Sequence, residues 1–306
     1  MSIVIWNPNA GQKRRGPAPG VTEESLREIL DRHSIQGRIV ATESSDAAKQ
    51  AVREAIQAGH TTIIVAGGDG TIGEVAGELL GKTDIALGIL PLGSVMNVAR
   101  MLGVPREIEA AAAAIAEGRT RVIDVGEANG VIFYETASVG MNAAMFKAAQ
   151  HFEDGDYGSP FRVVGIALGY RPARMVIELD DETLSTRALM VTISNGAYMG
   201  VAMTVAPDAR LDDGRFDVRV FRQFSKLELL RHLASIAFGR HRYSPKVSTY
   251  RSTRVRITSK SPLPCRADSH DLGTTPLECR CRHAELRVIV GPDYADGRAI
   301  TEQSGS

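Results

Sequence analysis

The chain has 306 residues, enough for two hydrophobic cores, and its 43% hydrophobic and 24% charged residues are those of a soluble globular protein. Lys+Arg and Asp+Glu each total 36, so the formal net charge of zero speaks against nucleic acid as a partner and against long-range steering to an anionic membrane. No apolar run approaches the ~18 residues that span a bilayer. The opening Met1–Trp6 run is too short, and lacks the basic start, of a signal peptide, so a cytoplasmic location is expected.

Taken in chain order, Ser2–Trp6 predicts a buried strand, Asn7-Pro-Asn-Ala-Gly11 a turn, and Gln12–Gly20 a basic Gly/Pro-rich loop. Thr22 is the expected cap of a helix with Leu26, Ile29 and Leu30 on one face. Ile35–Thr42 predicts a strand, and Ser44 or Ser45 caps a further helix that Gly59 ends. Thr62–Ala66 predicts a buried strand that runs into Gly67-Gly-Asp-Gly-Thr71, with a helix from Thr71 or just after. Ile85–Leu90 predicts a strand, followed by Pro91-Leu-Gly-Ser94 and another helix. This alternation predicts a layered α/β nucleotide-binding domain over residues 1–125.

The rhythm changes near Arg121. Strands are expected at Arg121–Gly126, Val131–Val139, Met175–Leu179, Ala188–Ser194, Phe216–Phe221, Val247–Thr258 and Leu286–Val290. Helices are expected near Asn142–His151, Phe161–Tyr170 and Lys226–Phe238. Residues 126–295 thus form a β-sandwich-like domain, with a polar tail at 296–306. Cys265, Cys279 and Cys281 are too few for a metal site and predict reduced, packed thiols.

The glycine turn carries the chemistry. A buried strand entering glycines, with a helix start behind them, lets backbone N–H groups meet phosphate oxygens. Asp69 in its middle would repel phosphate unless a cation intervened, so magnesium-bound nucleotide is the natural ligand. Gly68-x-Gly70-x-x-Gly73 also satisfies the dinucleotide fingerprint, but Asp84, the nearest acid, precedes the next strand instead of ending it. No P-loop motif is present.

Together, Asn7-Pro-Asn-Ala-Gly11, Gly67-Gly-Asp-Gly-Thr71 and Pro91-Leu-Gly-Ser94 leading to Ala99-Arg-Met-Leu-Gly103 resemble the diacylglycerol kinase catalytic domain family, with its bacterial lipid kinases and sphingosine kinases. Ser194-Asn-Gly-Ala-Tyr-Met-Gly200, Ala206–Gly214 and Phe216-Asp-Val resemble that family's second domain. The resemblance implies a two-domain, NAD kinase/diacylglycerol kinase-like fold and an ATP-dependent lipid kinase. It places Asn7, Pro8, Gly11, Thr42, Gly67, Gly68, Asp69, Gly70, Thr71, Ile72, Gly73 and Ser94 around ATP. Ser94 stands for the family's Thr, and Val95-Met96-Asn97 for a small-Asn-Asp run. A structural Mg²⁺ is implied at Asp213, with the carbonyls of Arg210 and Arg215; by composition alone that stretch is a plain Asp-Gly turn.

Where the family carries Asp-Gly-Glu near the attacking hydroxyl, this chain has Asp268-Ser269-His270. Asp268 and His270 are therefore the candidate catalytic residues, expected to face one side of an extended strand. The implied partners are a lipid alcohol, diacylglycerol-like or sphingoid-like, and peripheral contact with a membrane surface, with a homodimer left open. Two other readings stay open: a relative that binds nucleotide or lipid without turnover, and an NAD kinase-like phosphotransferase.

Overall fold

A computed structural model describes residues 1–10, 21–146, 165, 169–200, 203–222, 228 and 247–299. The chain divides into two compact units. The first comprises Met1–Val125, Arg210–Asp213 and the stretch from His283 onward; the second comprises Gly126–Ala209 and Gly214–Arg282. Residues 210–213 and 283–295, expected in the second domain, thus group with the first unit.

The first unit is built on β1 (Ser2–Trp6), α1 (Glu23–Arg32), β2 (Gly37–Ala41), α2 (Ser45–Gln57), β3 (Thr62–Gly67), α3 (Asp69–Leu79), β4 (Ala86–Pro91), α4 (Asn97–Met101) and α5 (Ile108–Glu117). Thr22 caps α1 by accepting from the Ser25 amide at 3.1 Å, and Ser25 returns the contact to the Thr22 amide at 2.9 Å. Ser44, not Ser45, caps α2, accepting from the Ala47 amide at 3.2 Å. The strands lie parallel in the order β2-β1-β3-β4, with Trp6 opposite both Ala41 and Ala66. Val4, Ile5, Ile63, Ile64, Val65 and Leu87 are fully buried, as a parallel sheet covered by helices requires. The order reverses between β1 and β3, so the carboxyl ends of those strands open the crevice where ligands of such sheets bind.

β5 (Thr120–Ala128) carries the chain out of the first unit. The expected Val131–Val139 strand is two, β6 (Val131–Phe133) and β7 (Thr136–Gly140), separated by Tyr134-Glu135. Then come β8 (Ala173–Glu178), β9 (Thr183–Ala188), β10 (Met190–Ser194), the short pair β11 (Tyr198–Met199) and β12 (Met203–Thr204), and β13 (Phe216–Phe221). β14 (Val247–Ser252), β15 (Arg254–Ser259), β16 (Pro264–Ala267), β17 (His270–Thr274) and β18 (Leu277–Ile289) complete the unit. β18 leads back into the first unit, where Val288 pairs with Leu87, and β19 (Tyr294–Ala295) with β20 (Arg298–Ala299) closes the described chain.

In the second unit β14-β13-β10-β7-β16-β17 form one sheet, and β18, β15, β8 and β9 are neighbours in another. The residues they share form one core: Ala137, Val139, Val191, Ile193, Val218 and Val220 from the first, and Met175, Ile177, Val255, Ile257, Leu277 and Cys279 from the second. This is the expected β-sandwich. Phe133 and Phe216 stack within it at 5.6 Å. Cys265 and Cys279 are free thiols packed into this core, and burial pushes the Cys265 thiol up to about 12. Among the described residues no cluster of His, Cys, Asp or Glu could hold a metal ion.

The expected Val247–Thr258 strand is also two. Asp180 accepts from the amides of Thr253, at 2.5 Å, and Arg254, at 3.1 Å, which ends the β14 ladder and sends β15 to the other sheet. The helices expected near Asn142–His151, Phe161–Tyr170 and Lys226–Phe238 lie largely outside the described residues, although residues 141–146 are helical.

Candidate functional site

Most of the predicted nucleotide residues converge on the carboxyl edge of the first unit's sheet. Asn7 follows β1, its amide donating to the Ala66 carbonyl at 2.9 Å. Its side chain donates to Thr71 Oγ1 at 3.1 Å and accepts from the Asn9 amide at 2.9 Å, which locks the Asn7-Pro8-Asn9 turn beside the glycine turn. Gly11 lies outside the described residues.

α3 begins at Asp69, two residues earlier than expected, with Gly68 at its N-cap and the Ile72 amide bonded to the Gly68 carbonyl at 3.0 Å. The amides of Gly70 and Thr71 therefore lie in the first helical turn, where no intrahelical acceptor exists. Gly67 is needed for packing, since a Cβ there would meet Thr71 Cβ at 2.8 Å. Gly68 is not strained, and its Cβ would make ordinary contact with Gly93 at 3.6 Å. Gly93 is the residue that sequence reading missed. A Cβ there would lie 2.8 Å from Gly68 Cα and 2.7 Å from Met96 Sδ, so the two turns can touch only through a glycine. Gly70 differs from all three: it is exposed, and a Cβ there would meet nothing among the described residues within 4 Å.

Three of the expected nucleotide residues have their side chains engaged by the fold. The Asp69 carboxylate does not face open space; it accepts from the amides of Met96 at 2.7 Å and Val98 at 3.4 Å, and from that of Asn97. It thereby caps α4, whose own N-cap residue, Met96, sits at φ 57 without a side-chain cap. Burial raises the Asp69 carboxyl above the ordinary range, and these amides pull against it. Thr42 is buried, its hydroxyl turned to the Trp6 carbonyl at 3.4 Å, and Ile72 is a fully buried core residue. Thr71 is also buried and serves as the acceptor for Asn7. Pro8 and Gly73 are half-buried, and Ser94 is exposed, its carbonyl accepting from Arg106 at 2.7 Å.

At the proposed magnesium turn, the Arg210 side chain is engaged with the neighbouring acid, Asp212, at 3.3 Å. The Leu211 amide is tied to the Gly297 carbonyl at 2.8 Å. Asp213 is half-buried and Arg215 exposed. Among the described residues no group of three or more His, Cys, Asp or Glu converges at Asp213.

Asp268 is an acid of the second unit held by three backbone amides. It does not lie on an extended strand but in the turn between β16 and β17, with φ 45. The same-face relation expected between Asp268 and His270 therefore fails, because the turn reverses the chain between them; His270 opens β17, opposite Ala267, and is exposed. The Asp268 carboxylate accepts from three consecutive amides, Tyr134 at 2.7 Å, Glu135 at 3.1 Å and Thr136 at 3.0 Å. Burial raises its carboxyl, opposed by these amides and by the charge of His270.

The Glu135 and Thr136 amides are aimed by the Ser194-Asn-Gly motif. The backbone amides of Asn195 and Gly196 donate to the Glu135 carbonyl at 2.9 and 3.1 Å, and Asn195 Nδ2 donates to the Tyr134 carbonyl at 3.1 Å. With the carbonyls held on one side, the N–H groups point to the other, at Asp268. Arg266, also unforeseen, donates through its guanidinium to the Asp268 carbonyl and lies 3.2 Å over the Phe146 ring centroid. Burial pulls Arg266 down to about 10, which leaves it a cation.

Comparison with known proteins agrees with this architecture. Residues 1–128 match the profile described as diacylglycerol kinase catalytic domain, and residues 136–290 match the YegS C-terminal NAD kinase beta sandwich-like domain. A Bacillus subtilis protein named "Diacylglycerol kinase" is 25% identical over 301 residues, covering 96% of this chain and 97% of its own. A Pseudomonas aeruginosa protein named "Probable lipid kinase YegS-like" is 32% identical over 222 residues, covering 71% and 70%. A solved structure of a diacylglycerol kinase from Bacillus anthracis shares the fold, with a TM-score of 0.73, 21% identity, and coverage of 95% of this chain and 97% of that one. The chain belongs to the diacylglycerol kinase catalytic domain family, in its form with a YegS-like second domain.

Proposed function

We propose that this protein is an ATP-dependent kinase that transfers the γ-phosphate to the hydroxyl of a lipid alcohol. Family membership supports a kinase with ATP as donor, and the relative named for diacylglycerol suggests a glycerolipid-like acceptor. The observation that carries this assignment is Gly70. Neither packing nor φ demands glycine there, and among the described residues nothing lies within 4 Å of the space a Cβ would take. A ligand that must approach the Gly70 and Thr71 amides explains the missing side chain, and phosphate is the ligand such amides suit.

The chemistry asked of the residues is modest, since phosphoryl transfer depends mainly on positioning and charge stabilisation. The amides of the α3 start would hold the donor's phosphates, with Mg²⁺ as the nucleotide's counterion and Asp213 a further oxygen donor. Asp268 would accept the acceptor hydroxyl's proton as its oxygen bonds the γ-phosphorus and the bond to the bridging oxygen of ADP breaks. The amide nest at residues 134–136 holds that carboxylate in place, and its raised pKa makes it a better base than an exposed aspartate. His270 would assist from solvent.

The test is transfer of labelled phosphate from ATP to detergent-dispersed diacylglycerol, a sphingoid base and NAD, with calorimetric ATP binding alongside. Gly70→Val should leave the melting temperature unchanged and weaken ATP binding by ~10-fold or more. Unchanged affinity would remove the turn as the nucleotide site. Binding without transfer to any acceptor would instead identify a non-catalytic relative, and transfer to NAD alone a nucleotide kinase.

A further inference from the structure

The outer face of the β18-β15-β8-β9 sheet is charged unevenly. Along β8 the buried Met175 and Ile177 alternate with Arg174, Val176 and Glu178, which face outward. At the Glu178 end every arginine has a carboxylate. Arg256 reaches Glu278 at 3.1 Å and Glu178 at 3.8 Å, Arg254 reaches Asp180 at 3.9 Å, and Arg280 reaches Glu127 at 2.9 Å.

The other end is different. Arg174 on β8 lies directly opposite Arg187 on β9. Lys260 directly follows β15, whose last residue, Ser259, pairs with Met175, so it comes level with Arg174 on the next strand. Arg171 lies three residues upstream of Arg174. All four are exposed, and none forms an ion pair with a described residue. Glu178, the nearest acid along β8, is four residues from Arg174, about 13 Å on an extended strand.

Like charges directly opposite on neighbouring strands are unfavourable. Protection of an exposed sheet edge accounts for Arg187, since β9 is the edge strand. It does not account for Arg174 on the interior strand β8, nor for Lys260 beyond β15. We infer that this end of the sheet is a docking surface for an anionic lipid bilayer, held by Arg171, Arg174, Arg187 and Lys260. The occupant follows from charge complementarity: four exposed cations with no ion pair among the described residues, two on the sheet face and two just beyond its strand ends, suit a flat array of anionic headgroups. With a formal net charge of zero the molecule has no general attraction to such a surface, so a local patch would also set the orientation in which it docks. The inference extends the lipid kinase reading but needs no nucleotide and no turnover.

The experiment is co-sedimentation of the full chain, without ATP, with phosphatidylcholine vesicles with or without phosphatidylglycerol, at low and high salt. Expected are binding only to the phosphatidylglycerol vesicles, loss of binding at high salt, and a roughly 30-fold fall in partitioning for the double variant Arg174→Gln/Arg187→Gln. Arg254→Gln/Arg280→Gln, at the compensated end, should fall far less. Wild-type binding that is absent, equal on both vesicle types, or unchanged in the first variant would overturn the inference. So would tight binding of RNA with none to vesicles. Phosphate transfer to detergent-dispersed acceptor, measured on the same preparations, separates the two readings: it should persist in Arg174→Gln/Arg187→Gln, and its absence in wild type would count against the kinase reading alone.

Discussion

Replacing Asp268 by asparagine probes base and scaffold together, and the hydrogen bonds say how much each should suffer. One carboxylate oxygen accepts from Glu135 and Thr136 and the other from Tyr134. An asparagine oxygen can keep the first pair, but its amide nitrogen then faces the Tyr134 N–H, donor against donor. Losing one hydrogen bond to a charged group costs about 1.5–3 kcal/mol, which for a domain of this size lowers the melting temperature by ~4–10 °C. If Asp268 is also the base, turnover should fall by ~10²-fold or more at temperatures where the variant is fully folded, with ATP affinity unchanged. Calorimetric melting, ATP titration and single-turnover transfer on one preparation measure all three quantities. A variant that melts like wild type would refute the amide nest. One that melts lower but turns over at the wild-type rate would leave Asp268 a purely structural acid.

Asp69→Ala should cost about 1–3 kcal/mol, because it strips the cap from α4, and should speed hydrogen exchange in residues 92–101; unchanged exchange there would contradict the bridge between the two turns. Asp217→Asn tests a second buried acid. Asp217 is 5% exposed, one of its oxygens has no hydrogen-bond partner among the described residues, and burial raises its carboxyl, with Arg219 opposing. A raised folded pKa means the folded state binds the proton more tightly than the unfolded chain, so wild-type stability is lost as pH rises through that pKa. The asparagine variant should therefore gain in melting temperature relative to wild type from acid to neutral pH; a difference that shrinks with rising pH would refute the assignment.

Much of the first unit was legible in sequence because its signals are local. Thr22 ahead of the Leu26, Ile29 and Leu30 face, the apolar run at Thr62–Ala66 and the glycines after it each specify a cap, a strand or a turn within a few residues. Side-chain partners are not local. That Asp69 would cap α4, 27 residues later in sequence, depends on β3 and β4 lying side by side, which brings the two turns together at Gly68 and Gly93. The second unit shows the same limit more sharply. Asp268 and His270 stand two apart, a spacing that on a strand means one face, but a left-handed turn residue reverses the chain between them. The Ser194-Asn-Gly motif marked a family yet gave no hint of its task. Its amides and the Asn195 side chain turn the 134–135 and 135–136 peptides toward Asp268, across separations of 61 and 133 residues. Sequence by itself determined the strands, helices and glycine turn of the first unit, because backbone preference and burial period are written residue by residue. Only the tertiary structure decided which polar atoms are occupied by the fold and which are left for a ligand, because a hydrogen bond is directional and its partner is set by which strands end up as neighbours.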